Sequence, residues 1–410
     1  MNRMLAAGVC LVALAAARPA EAQRAEVIHW WTSGGESAAL KVFADQYIKS
    51  GGTWVDTAIA GGANARTAAI NRTIGGDPPT AMQFNTGRQF DELVENDLLT
   101  NLDALATAQN WKAIMPAAIV NAITREGHVY AVPVNIHGQN WLFYNTAVFE
   151  KLGLQSPTNW DDVFPILDKI KAAGLVPLAF SGQKSWERGL FNSVLVGRGG
   201  PEMFVAFWGK RDPAVTKTPE FRAVVDTLRR LHAYVDAGSP GRNWNDATNM
   251  VITGRAGMQI MGDWAKGEFS AAGQTAGKEY GCTILSSRVP SYVIGGDVFA
   301  FPKQKDPQVA RAQQKLAEAM LDPAAQLAFA LKKGSIPVRQ DVDTSTLDAC
   351  ARKAVAIMAN KEAQVPANDL LSLPAITGAV EDVISQFWND QSMTPETFIT
   401  RATAALTQKL

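Results

Sequence analysis

The side chains best suited to chemistry in this sequence are tryptophans set close to carboxylates, lysines and glycines. Trp30 and Trp31 end an apolar run and are followed by Glu36 across Ser33-Gly34-Gly35. Asp263 and Trp264 follow Gly262, Trp186 stands in the polar stretch GQKSWERG, and Asp297 follows Gly295-Gly296. A flat indole matches the C–H face of a sugar ring, while carboxylates, amides and ammonium groups match its rim of hydroxyls. Each residue also has a plainer role open to it. By type alone, Trp31 and Trp264 fit a ligand wall and a protein core equally well. Glu36 completes a Ser-x-x-Glu capping box, Asp263 suits the cap of the next helix, and His137 suits an ordinary loop histidine. Trp30 and Trp31 lie on opposite faces if the strand continues, so only one can readily stack on a ligand. Trp54, Trp111, Trp160, Trp208 and Trp388 are assigned to packing.

Catalytic signatures are missing. The sequence has no Gly-x-Ser-x-Gly elbow, no P-loop and no Gly-x-Gly-x-x-Gly after a strand. No acid pair stands out for glycoside hydrolysis, which needs carboxyls about 5–5.5 Å or about 6.5–9.5 Å apart. A secreted sugar-processing hydrolase stays the rival from a different class. His29, His128, His137 and His232 are far apart and have no ligand spacing, so no metal site is expected.

The elements that must hold these residues alternate short apolar strands with amphipathic helices, the pattern of an α/β protein. Strands are expected at 26–31, 54–60 and 81–85, with helices from Ser33 and over 65–74 between them. This β-α-β-α-β run predicts an open, mostly parallel sheet whose carboxyl edges face a crevice. A first crossing between lobes is read over 129–144 and a second around 283–291. Amphipathic helices are expected at 157–173, 221–236 and 309–321, strands at 254–262 and from 298, and mainly helix after Gly334.

The N-terminus reads as an export signal. Arg3 precedes an uncharged apolar run over 4–17, and Ala20-Glu21-Ala22 has the small-x-small form of a cleavage site, which places the cut after Ala22. Val9 stands before Cys10 where a lipoprotein needs a small residue, so lipidation is rejected. The 39 basic and 39 acidic residues lose Arg3, Arg18 and Glu21 with the signal, leaving 37 against 38. Such a balance carries no footprint for nucleic acid or an anionic membrane. No later apolar stretch is long enough to span a bilayer, so the mature chain is not expected to be membrane-embedded. Two cysteines remain, Cys282 and Cys350. In an oxidising compartment they pair most simply with each other; two separate buried thiols are the alternative.

Four segments in order, EVIHWWTSGGE (26–36), PVNIHGQNW (133–141), IMGDWAKGE (260–268) and KGSIPVR (333–339), resemble family 1 of the bacterial extracellular solute-binding proteins. The similarity is closest to the periplasmic glucose-binding branch and spans essentially the whole mature chain. The resemblance implies an α/β, two-lobed periplasmic binding protein fold (type II, maltose-binding-protein-like) with a hinge of crossing segments. Residues 23–135 with 286–334 would form one lobe, and 136–285 with 335–410 the other. It further implies a small-molecule sugar held between the lobes, delivery to an inner-membrane ABC permease, a monomeric protein, and no cofactor. The family pattern places Trp30, Trp31 and Glu36 on the first lobe's rim and Trp264, beside Asp263, stacking from the other lobe. Asp297 and Lys333 are expected to bond sugar hydroxyls, with His137 and Trp186 as further contacts, and Cys282 and Cys350 match the family's paired cysteines. Two positions depart from the branch: Asn85 stands where a lysine is usual, and Asn368 where a histidine is. These shorter amides favour either glucose in a shifted pose or a larger ligand, such as a disaccharide, glycoside or sugar alcohol.

Overall fold

The computed structural model describes residues 23–286 and 290–409. The expected signal segment, 1–22, lies outside the described residues, as does the 287–289 part of the expected second crossing. Apart from a short hairpin of Thr124–Arg125 with His128–Val129, the strands are β1 (Arg24–His29), β2 (Thr53–Ala58), β3 (Ala81–Asn85), β4 (Ala131–Pro133), β5 (His137–Gly138), β6 (Trp141–Asn145), β7 (Val176–Ala179), β8 (Ala256–Met261), β9 (Tyr280–Ile284), β10 (Tyr292–Gly295), β11 (Asp297–Ala300) and β12 (Gln364–Pro366). They form a five-stranded sheet in the order β2-β1-β3-β11-β4 and a four-stranded sheet in the order β9-β6-β8-β7. A small third sheet, β12-β10-β5, lies between them in connectivity.

The first sheet is parallel across β2, β1 and β3, whereas β11 runs antiparallel to both its neighbours. The sheet is therefore less parallel than the opening β-α-β-α-β run predicts, because β11 and β4 arrive from the crossing segments. The chain passes from β4 to β5 to β6 within 131–145, which is the first crossing. It returns from β10 to β11 within 292–300. The second crossing thus lies later than expected, since Thr283 and Ile284 still belong to β9. A third passage runs beside the first: Ile136 and Ile336 exchange backbone hydrogen bonds of 2.8 and 3.0 Å.

Around the first sheet pack α1 (Gly34–Lys49), α2 (Gly62–Ile74), α8 (Pro307–Leu321) and α9 (Pro323–Lys333). Ser33 and Glu36 form the expected capping box at the start of α1. The apolar stripe of α1 inserts Phe43 against Phe329 of α9, with ring centroids 4.4 Å apart. The second body carries α3 (Trp160–Ala172), α4 (Lys184–Trp208), α5 (Pro219–Leu231) and α6 (Trp244–Ile252). It also carries α7 (Ala265–Ala271), α10 (Ala349–Met358), α11 (Pro374–Asn389) and α12 (Pro395–Thr407). Phe191, Phe207, Phe221 and Phe398 meet in its core. Burying each such ring contributes roughly 1.5–3 kcal/mol.

Trp111, Trp160, Trp208 and Trp388 are buried, as expected, and Trp54 is half-buried on the edge strand β2. The long helix α4 has no counterpart in the sequence reading. It bends at Gly200, whose φ of 79° is the left-handed conformation glycine tolerates, immediately before Pro201. The two bodies touch where α7 meets the start of α1. There the Gly35 amide donates to Glu268 at 2.8 Å, and a Cβ on Gly35 would fall 2.5 Å from the Gly267 carbonyl carbon.

Cys282 on β9 and Cys350 on α10 are disulfide-bonded, with Cα atoms 6.1 Å apart and a sequence separation of 68. In the chain-entropy account a loop of that size adds about 4 kcal/mol. The Cys282→Ser/Cys350→Ser variant is therefore expected to unfold at lower denaturant than the oxidised protein. Equal midpoints for the two proteins under non-reducing conditions would show that the bond adds nothing.

Candidate functional site

A cleft of ≈ 1190 Å³ runs between the two bodies. Its deepest part is built around His137, which lies on β5 in the small connecting sheet. The His137 imidazole is buried, and it hydrogen-bonds through Nδ1 to Asp263 and through Nε2 to Asp297 at 2.9 Å. Asp263 follows β8 in the second sheet, while Asp297 begins β11 in the first. One side chain thus ties both bodies to the segment that crosses between them.

Burial would drive the imidazole towards its neutral form. The charges and hydrogen bonds of Asp263 and Asp297 outweigh that effect and raise the His137 pKa from 6.5 to about 9. Burial would likewise raise the Asp297 carboxyl, but His137, Lys333 and Asn135 hold it below its ordinary value of 3.8. His137 is therefore an imidazolium at neutral pH, with both N–H groups committed to carboxylates.

Asp297 is saturated. Its Oδ1 accepts from Gln83 at 3.0 Å and Asn85 at 3.3 Å, and its Oδ2 accepts from His137 and, at 2.8 Å, from Asn135. Asp263 also accepts from the Gly138 amide at 2.9 Å and the Tyr292 hydroxyl at 3.3 Å. It does not cap α7. Nearby, Lys333 donates to Glu36 at 2.8 Å, while the other Glu36 oxygen accepts from the Ser33 hydroxyl at 3.1 Å. An ammonium has three donors, so Lys333 keeps spare capacity.

The cleft brings together Trp30, Trp31, Glu36, Asn85, His137, Trp186, Trp264, Asp297 and Lys333. It does not include Asp263, which lies behind His137, or Asn368. Asn368 is buried and accepts from Arg188 at 2.7 Å and Asn192 at 2.9 Å. Its amide is spent on protein partners, so it holds Arg188 in place. Trp31 is not on a rim: it is 1 % exposed, wedged against Phe299 and Phe329, with the Lys333 ammonium 5.1 Å above its ring. The two tryptophans do diverge, because Trp30 turns instead towards Arg66. Trp186 lies in the first turn of α4, not in a loop.

The Trp264 ring stands nearly perpendicular to the His137 imidazole, with centroids 5.1 Å apart, and lies 5.8 Å from Trp186, which lies 6.4 Å from Trp244. Trp244, Arg66, Gln139, Asn245 and Asp369 line the cleft but were not singled out from sequence. Trp244 carried a readable signal, since it stands in GRNWND with a glycine and a carboxylate within three positions. The first turns of α4, α6 and α11 also border the space, and none has a side-chain cap. Their positive dipole ends thus favour hydroxyl or other acceptor oxygens there. No cluster of three or more His, Cys, Asp or Glu side chains able to hold a metal occurs among the described residues.

The elevated His137 pKa links charge to stability. Its contribution is on the order of 3 kcal/mol, fully present below pH 6.5 and lost as pH rises through about 9. The depressed Asp297 pKa acts at the other end: its contribution is present above about pH 3.8 and lost on further acidification. Thermal melts are expected to fall between pH 7 and pH 10 in the native protein, and to fall much less in His137→Gln. Parallel profiles for the two proteins would refute the buried imidazolium.

The chain matches the bacterial extracellular solute-binding protein family over residues 31–327. It is 37 % identical over 380 residues to a probable sugar-binding periplasmic protein of Brucella melitensis, covering 90 % of this chain and 89 % of that one. A protein of the same description from Mesorhizobium japonicum is 37 % identical over 417 residues, covering 99 % of each chain. Among solved structures, the bacterial solute receptor AcbH, described as preferring β-D-galactopyranose, superposes with a TM-score of 0.79 at 21 % identity, over 93 % of this chain and 96 % of its own. Maltose-bound MalE3 of T. maritima gives 0.78 at 18 % identity, over 93 % and 98 %. These two likenesses establish the two-lobed, maltose-binding-protein-like fold. With the family match covering most of its length, the chain belongs to the bacterial extracellular solute-binding proteins, a family of carriers and not of enzymes.

Proposed function

We propose that this protein is the periplasmic sugar-binding component of an ABC importer, holding a pyranose between its lobes and presenting it to the membrane permease. The carrying observation is the juxtaposition of the Trp264 face, the spare donors of Lys333 and a cleft bounded by both bodies. The printed descriptions of the Brucella and Mesorhizobium relatives support sugar as the ligand and the periplasm as the compartment. The lobes are taken as 23–135 with 286–334 and 136–285 with 335–410, and an N-terminal signal over 1–22 would direct export. The protein acts as a monomer in this reading. Among the described residues no helix is long and apolar enough to cross a membrane.

The ligand of first choice is a monosaccharide, glucose or a close relative. Trp264 covers its C–H face, and Lys333 and Gln139 reach its hydroxyls. Trp30 borders the opposite side. Asp297 bonded to His137 and Asn85, and Glu36 bonded to Lys333 and Ser33, fix this wall. Contacts to both lobes are what allow a ligand to favour the closed state, and hinge closure around the ligand is the motion of periplasmic binding proteins generally. A disaccharide, glycoside or sugar alcohol is the second reading. It is favoured by a cleft larger than the roughly 300–1,000 Å³ usual for small-molecule sites.

A thermal-shift screen against a sugar panel, followed by calorimetry, tests the assignment. A true ligand at about 100 times its Kd adds about 2.7 kcal/mol of stability. Trp264→Ala is expected to weaken the best sugar at least about tenfold, equivalent to about 1.4 kcal/mol, with the fold retained. An unchanged Kd in that variant would remove Trp264 from the site, and a panel with no hit would reject sugar binding.

A further inference from the structure

Helix α4 carries Arg188 and Asn192 one turn apart, on one face of the helix. Both donate to the same acceptor: Asn368 Oδ1 receives Arg188 Nη1 at 2.7 Å and Asn192 Nδ2 at 2.9 Å. Asn192 is itself oriented, because the indole N–H of Trp208, beyond the bend at Gly200, donates to its Oδ1 at 2.9 Å. The Asn368 Nδ2 donates to the Asp369 carboxylate at 3.2 Å. An inverted Asn368 amide would set its NH2 against two donors, so only one orientation is satisfied. The turn that carries it is fixed as well. It leaves β12, which pairs with β10 of the connecting sheet, and the Ala367 amide donates to the Ile294 carbonyl at 2.8 Å. From the first body, the Arg88 amide donates to the Asp369 carbonyl at 3.2 Å, and a Cβ on Gly87 would lie 2.2 Å from that oxygen.

Arg188 lines the cleft, and its side chain is only 16 % exposed. Of its five N–H groups, one is spent on Asn368. Nε is buried without a hydrogen bond, and the Glu381 carboxylate stands 3.8 Å from it, beyond hydrogen-bonding reach. Among the described residues no other side chain or carbonyl accepts from this guanidinium. Open donors on a mostly buried cation are costly to leave unmet, and a ligand in the cleft can meet them. Arg66, Asp369 and Glu381 share this part of the space with Arg188. Two cations against two anions leave no net charge, so the open donors suit the hydroxyl or ring oxygen of a neutral sugar.

We propose that Arg188 is a ligand-contacting residue of the second body, donating to an oxygen of the bound sugar, and that Asn368 is the positioning residue that aims it. This rests on the sugar-carrier reading and adds a specificity determinant to it. A sugar is selected by whether it holds an acceptor oxygen where the fixed guanidinium points, and an epimer that moves that oxygen loses the bond. Asn368 touches no ligand in this arrangement and acts only through Arg188. Removing the guanidinium leaves Asn368 Oδ1 with its Asn192 donor, so the buried acceptor stays satisfied and the fold is kept.

Calorimetry on the mature full-length protein with D-glucose, D-galactose, D-mannose and maltose tests both roles. Arg188→Ala is expected to weaken the tightest of the four at least about tenfold, the loss that fits one charge-assisted hydrogen bond. It is also expected to narrow the spread of Kd among glucose and its two epimers. Asn368→Ala should weaken the same sugar about threefold or more in the native background, and less than about twofold once Arg188 is alanine. Melting temperatures report the fold of each variant separately from its affinity, and Asn368→Ser takes the same place in the cycle if the alanine variant does not fold. An Arg188→Ala protein whose Kd stays within about twofold of the native value removes Arg188 from the site and leaves the carrier reading standing. The same loss from Asn368→Ala in both backgrounds overturns the positioning role. Failure of the native protein to bind any of the four sugars counts against the carrier reading itself, and the contact falls with it.

Discussion

The structure turns on one buried cation. Placing a charge out of water costs several kcal/mol unless it is paired and hydrogen-bonded, and His137 meets that condition only because two carboxylates from different sheets converge on it. Removing one partner of such a group typically costs about 3–5 kcal/mol, because the other charge is left stranded. The arrangement therefore demands that both sheets and the crossing strand be in register together. It thereby fixes relative position at the base of the cleft as well as contributing to stability.

This constraint also explains a division of labour within the site. Groups that look like ligand contacts by type are largely spent on protein partners: Asp297 holds His137 and Asn85, and Glu36 holds Lys333 and Ser33. The indoles, Lys333 and the outer polar side chains keep free faces or donors. A wall whose members are already satisfied does not need to reorganise when a ligand arrives, which lowers the entropic cost of binding.

Much of this was legible in the sequence where the signal was local. The strand at 81–85 has the bounds read from its apolar run, and the Ser33–Glu36 capping box is present because both partners lie within one helical turn. The pairing of Cys282 with Cys350 followed from there being no other partner once the signal is set aside. Long-range chemistry was not legible. Asp263 is adjacent to Trp264 in sequence, yet its carboxylate turns to His137, 126 positions away. Asn368 was placed in the site by alignment to a histidine, but an amide that short reaches only Arg188, Asn192 and Asp369. Helix α4 has no clean local signature: it starts in the polar stretch around Trp186, and Gly199, Gly200 and Pro201 interrupt its apolar pattern, an interruption the fold absorbs as a bend.

The sheet order has a consequence for biogenesis. Strand β11 is the antiparallel rib between β3 and β4, so β4 has no place in the first sheet until the chain has emerged beyond Ala300. Until then β3 and β4 present unpaired edges, and such edges are templates for wrong association. Pairing across more than 200 positions is also slow to find. The first body thus cannot mature as an independent N-terminal unit during synthesis. A chain held loose until most of its length is available is the form that suits passage through a narrow conduit before folding.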